Sequence, residues 1–194
     1  MEDSPKRTQA INAVTRRLQE VDEIESDTLR DTVVDVWARA LVRSEYETVD
    51  QVEFLRGHES VDESLVTHTR EVTRCALSLT DTLLESRDVN IDRDAVVAGA
   101  LLHDISKFHE TSPDSVQTPL GEMIPHPHFA IHLLEESGLS YHIQHIVLSH
   151  THKSGVNPTT IESRIVMLAD IVAADTVFWE TDGTLQLALD VEYE

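Results

Sequence analysis

The chain has 194 residues, with 36 Asp and Glu against 15 Lys and Arg, a net charge of −21, one cysteine, six glycines and six prolines. That length suits one domain able to bury a real core, a lone Cys75 excludes a disulfide framework and fits a reducing compartment, and so few glycines and prolines favour long helices. An acidic surface with only Lys6, Lys107 and Lys153 as lysines has the wrong sign for a nucleic-acid backbone or an anionic membrane, and resembles surfaces built for a salt-loaded cytoplasm.

Residues 4–24 and 27–43 predict two amphipathic helices. Ile11, Val14, Leu18 and Val21 mark the inner face of the first, and Leu29, Val33, Val36, Trp37 and Ala40 that of the second. Residues 54–60 read as a connection. Ser60 and Glu63 offer a capping box for a long helix to about Ser86. Its inward stripe is Val61, Leu65, His68, Val72, Cys75, Leu79 and Leu83. A helix opening at Asn90 or Asp92 carries the apolar run 95–102 and leads straight into His103-Asp104.

Residues 106–125 contain Pro113, Pro119, Gly121 and Pro125 and predict a loop with room for a short hairpin. Helices are expected again at about 127–137, stopped by Gly138, and at about 140–150. Thr159 and Glu162 predict a second capping box and a helix to about Ala174. Asp182-Gly183 predicts a hairpin turn between 177–179 and 185–189. The N-terminus has no apolar core of signal-peptide type, and the longest apolar stretch, 165–179, is too short to span a bilayer and contains Asp170 and Asp175. The expected product is an all-α, cytoplasmic protein with no membrane or nucleic-acid partner, in which a homodimer is the oligomer considered.

Nine of the eleven histidines lie between His103 and His152. His68, outside that window, sits on an apolar helical stripe, where a hydrogen-bonded core histidine is the ordinary alternative. His103 and Asp104 end a wholly apolar helix, and an ionised carboxylate there costs several kcal/mol unless a cation or strong donors compensate. Asp170 poses the same problem, as the sole charge in the run 165–174. Two carboxylates and two imidazoles become compatible with burial around one divalent metal, and the ligand types suit Mn, Fe, Ni or Zn better than Ca.

The order His68, His103-Asp104, Asp170, with Ala-Leu-Leu-His-Asp-Ile-Ser-Lys around the doublet, resembles the HD superfamily of metal-dependent phosphohydrolases. The similarity covers roughly residues 61–176. It implies an HD-type helical bundle of about six to eight helices over 61–180, a helical extension over 1–60 packed on it, and a hairpin or tail over 181–194. His126-Pro-His-Phe-Ala-Ile-His-Leu-Leu is similar to a family segment that places a ligand at His126 and not His128, and the segment around His150 is similar to the next. Branches with these histidines, such as the diadenosine tetraphosphate hydrolases, bind two metals. The resemblance then implies His68, His103, Asp104 and Asp170 on one ion, and His126 and His150 on a second, with Asp104 bridging. A mononuclear branch, as in the 5′-deoxynucleotidases, needs only the first four. Where the family often has Ile-Gly-Lys after the doublet, this chain has Ile105-Ser106-Lys107.

Two of the three lysines, Lys107 and Lys153, closely follow candidate ligands, a placement suited to holding an anion. Arg70 and Arg74 follow His68 on successive turns, and His109 and His152 lie near the motifs. Lys107, Lys153, Arg70 and His152 are therefore the expected substrate contacts. Asp104, Lys107 and Lys153 are the expected catalytic residues. His58, His128, His132, His142 and His145 are expected at the surface or behind the ligands. The implied reaction is hydrolysis of a small nucleotide or other phosphate ester by metal-activated water, with one or two ions of Mn, Fe, Ni, Zn or Mg. Two rival readings stand beside it: a di-iron oxygenase on the same ligand set, and a non-catalytic, metal-stabilised nucleotide sensor with residues 4–43 as its partner surface.

Overall fold

The computed structural model describes residues 5–55 and 63–185. The expected cap at Ser60, the stripe residue Val61, His58 and the 60/61 boundary lie outside them. Helix α1 is Pro5–Arg17, α2 Asp27–Arg43, α3 Leu65–Ser86, α4 Arg93–Leu102 and α5 Lys107–Glu110. Then follow α6 Pro119–Met123, α7 His126–Glu135, α8 Tyr141–Ser149 and α9 Ile161–Asp182, with short 3-10 turns at Gln19–Glu23, Val49–Gln51 and His152–Ser154. Among the described residues the only β pairings are the isolated bridges Glu53–Ser64 and Thr111–Gln117, so the chain is all-α. No described helix is long and apolar enough to cross a membrane.

Several boundaries differ from those the sequence predicts. The helix expected over 4–24 ends at Arg17, because Leu18 leaves the helical region (φ −108, ψ 70) to bury its side chain fully. Helix α3 is capped by Ser64, whose Oγ accepts from Thr67 N at 3.2 Å. Its buried face begins as expected with Leu65, His68 and Val72, then passes to Ala76 and Thr80, leaving Leu79 exposed. Alternating steps of three and four follow a period of 3.5, whereas a straight helix drifts about 20° per heptad away from it. Residues 106–125 form the short α5 and α6 joined by one bridge, in place of a hairpin.

The cap of α9 is Thr160 with Ser163, one residue beyond the expected pair. That helix runs past Ala174 to Asp182, so residues 177–179 are helical and Gly183 (φ 67) is a left-handed C-cap, not part of a hairpin turn. The other expected arm, 186–189, lies outside the described residues.

Helix α4 is the axle of the fold. Every residue from Ala95 to Leu102 is buried, and α4 packs against α2, α3, α8 and α9. Gly99 permits the close crossing with α8: a Cβ there would stand 2.4 Å from Ile146 Cγ2. Trp37 on α2 is wholly buried, donates its Nε1–H to Leu101 O at 2.8 Å, and meets Phe108 edge-on at 5.5 Å. The two N-terminal helices thereby buttress the turn that carries His103 and Asp104, and their side chains join one continuous core with those of α3, α4, α7, α8 and α9. A satellite cluster of Phe54, Ala174 and Phe178 fastens the segment before α3 to the extended end of α9.

Candidate metal centre

Three helix ends and two helix faces bring six side chains together. His68 projects from the first turns of α3, and Asp170 from the middle of α9, which packs against it. His103 caps the C-terminus of α4, Asp104 follows it, His126 opens α7, and His150 caps the C-terminus of α8. His68, His103, Asp104 and His150 are buried, with at most 4% of their surface exposed.

The six divide into two groups that could each hold a metal ion, His68 with His103 and Asp170, and Asp104 with His126 and His150. In the first, His68 Nε2 lies 3.0 Å from Asp170 Oδ1 and 3.3 Å from His103 Nε2, which is 3.7 Å from the same oxygen. In the second, His126 Nε2 lies 3.2 Å from His150 Nε2 and 3.3 Å from Asp104 Oδ1, with His150 Nε2 at 3.6 Å from that oxygen. Asp104 joins them. Its Oδ2 faces the first group, 3.5 Å from His103 Nε2 and 4.0 Å from His68 Nε2, while Oδ1 faces the second. Bonds of about 2 Å to one ion put neighbouring ligand atoms on the order of 3 to 4 Å apart, so the spacing fits an ion in each group.

The donor chemistry passes the same test. His103 Nδ1 is 2.7 Å from Ala100 O and His150 Nδ1 is 2.6 Å from Val147 O. Carbonyls only accept, so each Nδ1 carries a proton and each Nε2 faces inward. Burial works against a charged His103 but Asp104 beside it prevails and raises it, so a bound cation would take the place of its Nε2 proton. Imidazole lone pairs converging with carboxylate oxygens in a dry site call for a cation. His68 Nδ1, buried without a hydrogen-bond partner, is the exception to this backing. Its ring is held instead by Phe54, stacked at 3.6 Å and 20°.

Electrostatics keep the carboxylates charged. Burial works against ionised Asp104, but the charges of Lys107 and His103 beside it prevail and hold its carboxyl well below the usual carboxylate range. Asp170 is treated likewise: burial raises it, the His68 hydrogen bond and His103 outweigh that, and it settles at about 2. Burial pushes His68 down, and His126 down to about 3, with Asp104 opposing, so both rings stay neutral and available.

The other expected contacts fare unevenly. Lys107 is mostly buried and already engaged, its Nζ 3.1 Å from Asp104 Oδ2 and 2.6 Å from Phe54 O, over whose ring it sits at 4.7 Å. It is not a free hand for substrate. Lys153 and His152 are exposed on the 3-10 turn after His150, and the charge of Lys153 reaches both His126 and Glu110. Arg70 and Arg74, expected in the cleft, instead grip buried Glu20 at 3.0 and 2.8 Å, because an acid inside the core needs cations more than the solvent-facing turn of α3 does. Ser106 adopts an ordinary right-handed conformation (φ −70, ψ −15) and donates to His126 O at 2.9 Å, so the missing glycine strains nothing. His109 sits half-buried beside Phe129, His132 and His142 pair with Glu136 and Glu162, His145 meets Thr159, and His128 is exposed.

Sequence reasoning missed Phe54 and Glu110. Nothing local distinguishes them; the raised pairing need of buried His68 and His126 was the signal available. Burial raises the Glu110 carboxyl, Lys107 acts against it, and Glu110 Oε1 lies 3.7 Å from His126 Nδ1.

A family model described as HD domain matches residues 65–175. Among curated proteins the chain is similar to the dihydroneopterin 2′,3′-cyclic phosphate phosphodiesterase of Methanocaldococcus jannaschii, at 31% identity over 120 residues that cover 60% of this chain and 48% of that protein. The chain thus spans about half the length of the curated relative it matches. No solved structure matches it.

Proposed function

The chain belongs to the HD-domain family, and on that premise we propose that it is a metal-dependent phosphohydrolase of a small phosphate ester, with His68, His103 and Asp170 on one ion, His126 and His150 on another, and Asp104 bridging. The observation that carries the reading is the division of Asp104, whose two oxygens face two separate ligand groups. Divalent ions held by these groups would supply a water of lowered pKa and neutralise charge on the phosphoryl oxygens. The chain's own residues do the rest. His103 and His150, backed by carbonyls, hold fixed lone pairs. Lys107 keeps Asp104 ionised and in place. Asp104 or Asp170 would orient the attacking water or accept its proton. Lys153, exposed at the rim, holds non-bridging oxygens as a mobile point charge.

The name of the archaeal relative supports a cyclic phosphodiester of a small molecule as the first substrate class to try. The test is a metal-by-substrate screen at low salt and at molar KCl, with Mn, Fe, Ni, Zn and Mg against cyclic phosphodiesters, phosphomonoesters and dinucleoside polyphosphates. Metal-dependent phosphate release that disappears in Asp104→Ala is the expected result. Oxygen consumption by an iron-loaded protein would replace the reading with the oxygenase, and a nucleotide that raises the melting temperature without turnover would replace it with the sensor.

A further inference from the structure

Building on the dinuclear reading, we propose that Glu110 is the positioning residue of the second group: its carboxylate accepts the Nδ1 proton of His126 and so aims the His126 Nε2 lone pair at Asp104 and His150. The case begins with helix geometry. His103 and His150 each cap a helix C-terminus, where a carbonyl three residues back lies within reach of Nδ1, and both use it. His126 is the first residue of α7, so it has no preceding helical turn to supply that acceptor. Its orienting partner must come from another element.

Glu110, the last residue of α5, stands there. Its Oε1 is buried, has no hydrogen-bond partner, and lies 3.7 Å from His126 Nδ1, a gap that a small rotation of the carboxylate closes. The opposite ring nitrogen already faces inward, 3.3 Å from Asp104 Oδ1. The loop after Glu110 is shaped to hold it. Thr118 N donates to Glu110 O at 2.8 Å, and Gly121 packs so closely that a Cβ would stand 2.5 Å from that same carbonyl oxygen. From the other side Ser106 Oγ donates to His126 O, fixing the backbone of the histidine relative to the doublet. Residues 111–125 thus act as a brace that sets a carboxylate behind a ligand histidine, the arrangement that fixes tautomer and raises ligand basicity.

The experiment uses the full chain with Zn²⁺ and reads metal binding and the His126 ring, not turnover. Calorimetric titration of the wild-type protein is expected to show two ions. Glu110→Ala is expected to weaken one of them by about 10–100-fold and leave the other within about twofold, and Glu110→Gln, which keeps an acceptor of the same reach, to recover most of the loss. In ¹⁵N-labelled, zinc-loaded wild type, the Nδ1 proton of His126, identified by its absence in His126→Gln, is expected downfield and protected from exchange; in Glu110→Ala that protection is lost. Two ions bound with unchanged affinity in Glu110→Ala overturn the inference. So does equal weakening of both ions, which marks a merely structural role. So does a wild-type His126 proton that exchanges as freely as that of exposed His128, whatever the variants do. A wild type that binds no zinc, or a single ion indifferent to His126→Ala, overturns the dinuclear reading itself, and Glu110 falls with it.

Discussion

The two ligand groups are built in different ways. His68 and Asp170 sit on the faces of α3 and α9 and His103 at the end of the wholly buried run of α4, and the buried faces of those helices join the continuous core around them. Asp104, His126 and His150 sit on helix ends and the turns between them, with Ser106 and Glu110 behind and Lys153 at the rim. The first group is positioned by packing, the second by loop chemistry. Packing tolerates little movement, so the first group should bind metal more robustly, while the second, which the charge of Lys153 reaches, should be the side that meets an anionic substrate.

The largest effect tests what the groups share. Asp104→Ala removes the carboxylate that faces both groups, and activity should fall by at least the roughly 10²–10³-fold that loss of one transition-state contact costs, with metal content measured in the same samples dropping at both groups. Retained stoichiometric metal would break the comparison at its root. Next comes the contrast itself: His126→Ala should release one ion and keep the other, whereas His68→Ala should also lower the melting temperature, since it empties a fully buried position stacked on Phe54. Loss of all bound metal in each variant would mean a single site.

Gly99→Ala probes the crossing of α4 and α8 that sets His103 beside His150. The new methyl would press on Ile146 Cγ2 at 2.4 Å. Overpacking of about 1–3 kcal/mol, offset by about 1 kcal/mol of helix propensity, predicts a melting temperature a few degrees lower. An unchanged melting temperature would show that Ile146 yields. Lys153→Ala should leave metal binding intact and raise KM by about tenfold, the loss of one exposed phosphate contact. A fall in kcat instead would move Lys153 into the chemical step.

The smallest effect concerns Glu63, beside the start of α3, which burial, with Glu71 and Glu180, pushes up to about 7. A carboxyl raised in the folded state favours folding fully below its ordinary value near 4.5 and loses that contribution as pH rises through about 7. Glu63→Gln should therefore gain melting temperature relative to wild type above pH 7 and not below pH 4.5. A gap that does not vary with pH would remove burial as the cause.

Much of the first group, with Asp104 of the second, could be read directly from the chain. His103, Asp104 and Asp170 are ionisable residues inside apolar helical runs, and only a shared cation or buried partners make such runs foldable. His126 and His150 were legible through resemblance, because neither lies in so plainly apolar a setting. Arg70 was misplaced because helical spacing puts it one half-turn from His68, and only the fold reveals that Glu20, fifty residues earlier, claims it. Lys107 lies beside Asp104, which is three residues before it in the chain, but only the fold shows that the Phe54 carbonyl engages it as well.

The sequence by itself determined the all-α class, the long buried helices, and which ionisable side chains had to meet, since burying a charge leaves few alternatives. Tertiary structure alone decided how Asp104 splits its oxygens between two groups and which residues stand behind the ligands. Those partners, Phe54, Ser106 and Glu110, are ordinary in their local context and acquire a role only through contacts made far along the chain or across a turn, distances that no local pattern encodes.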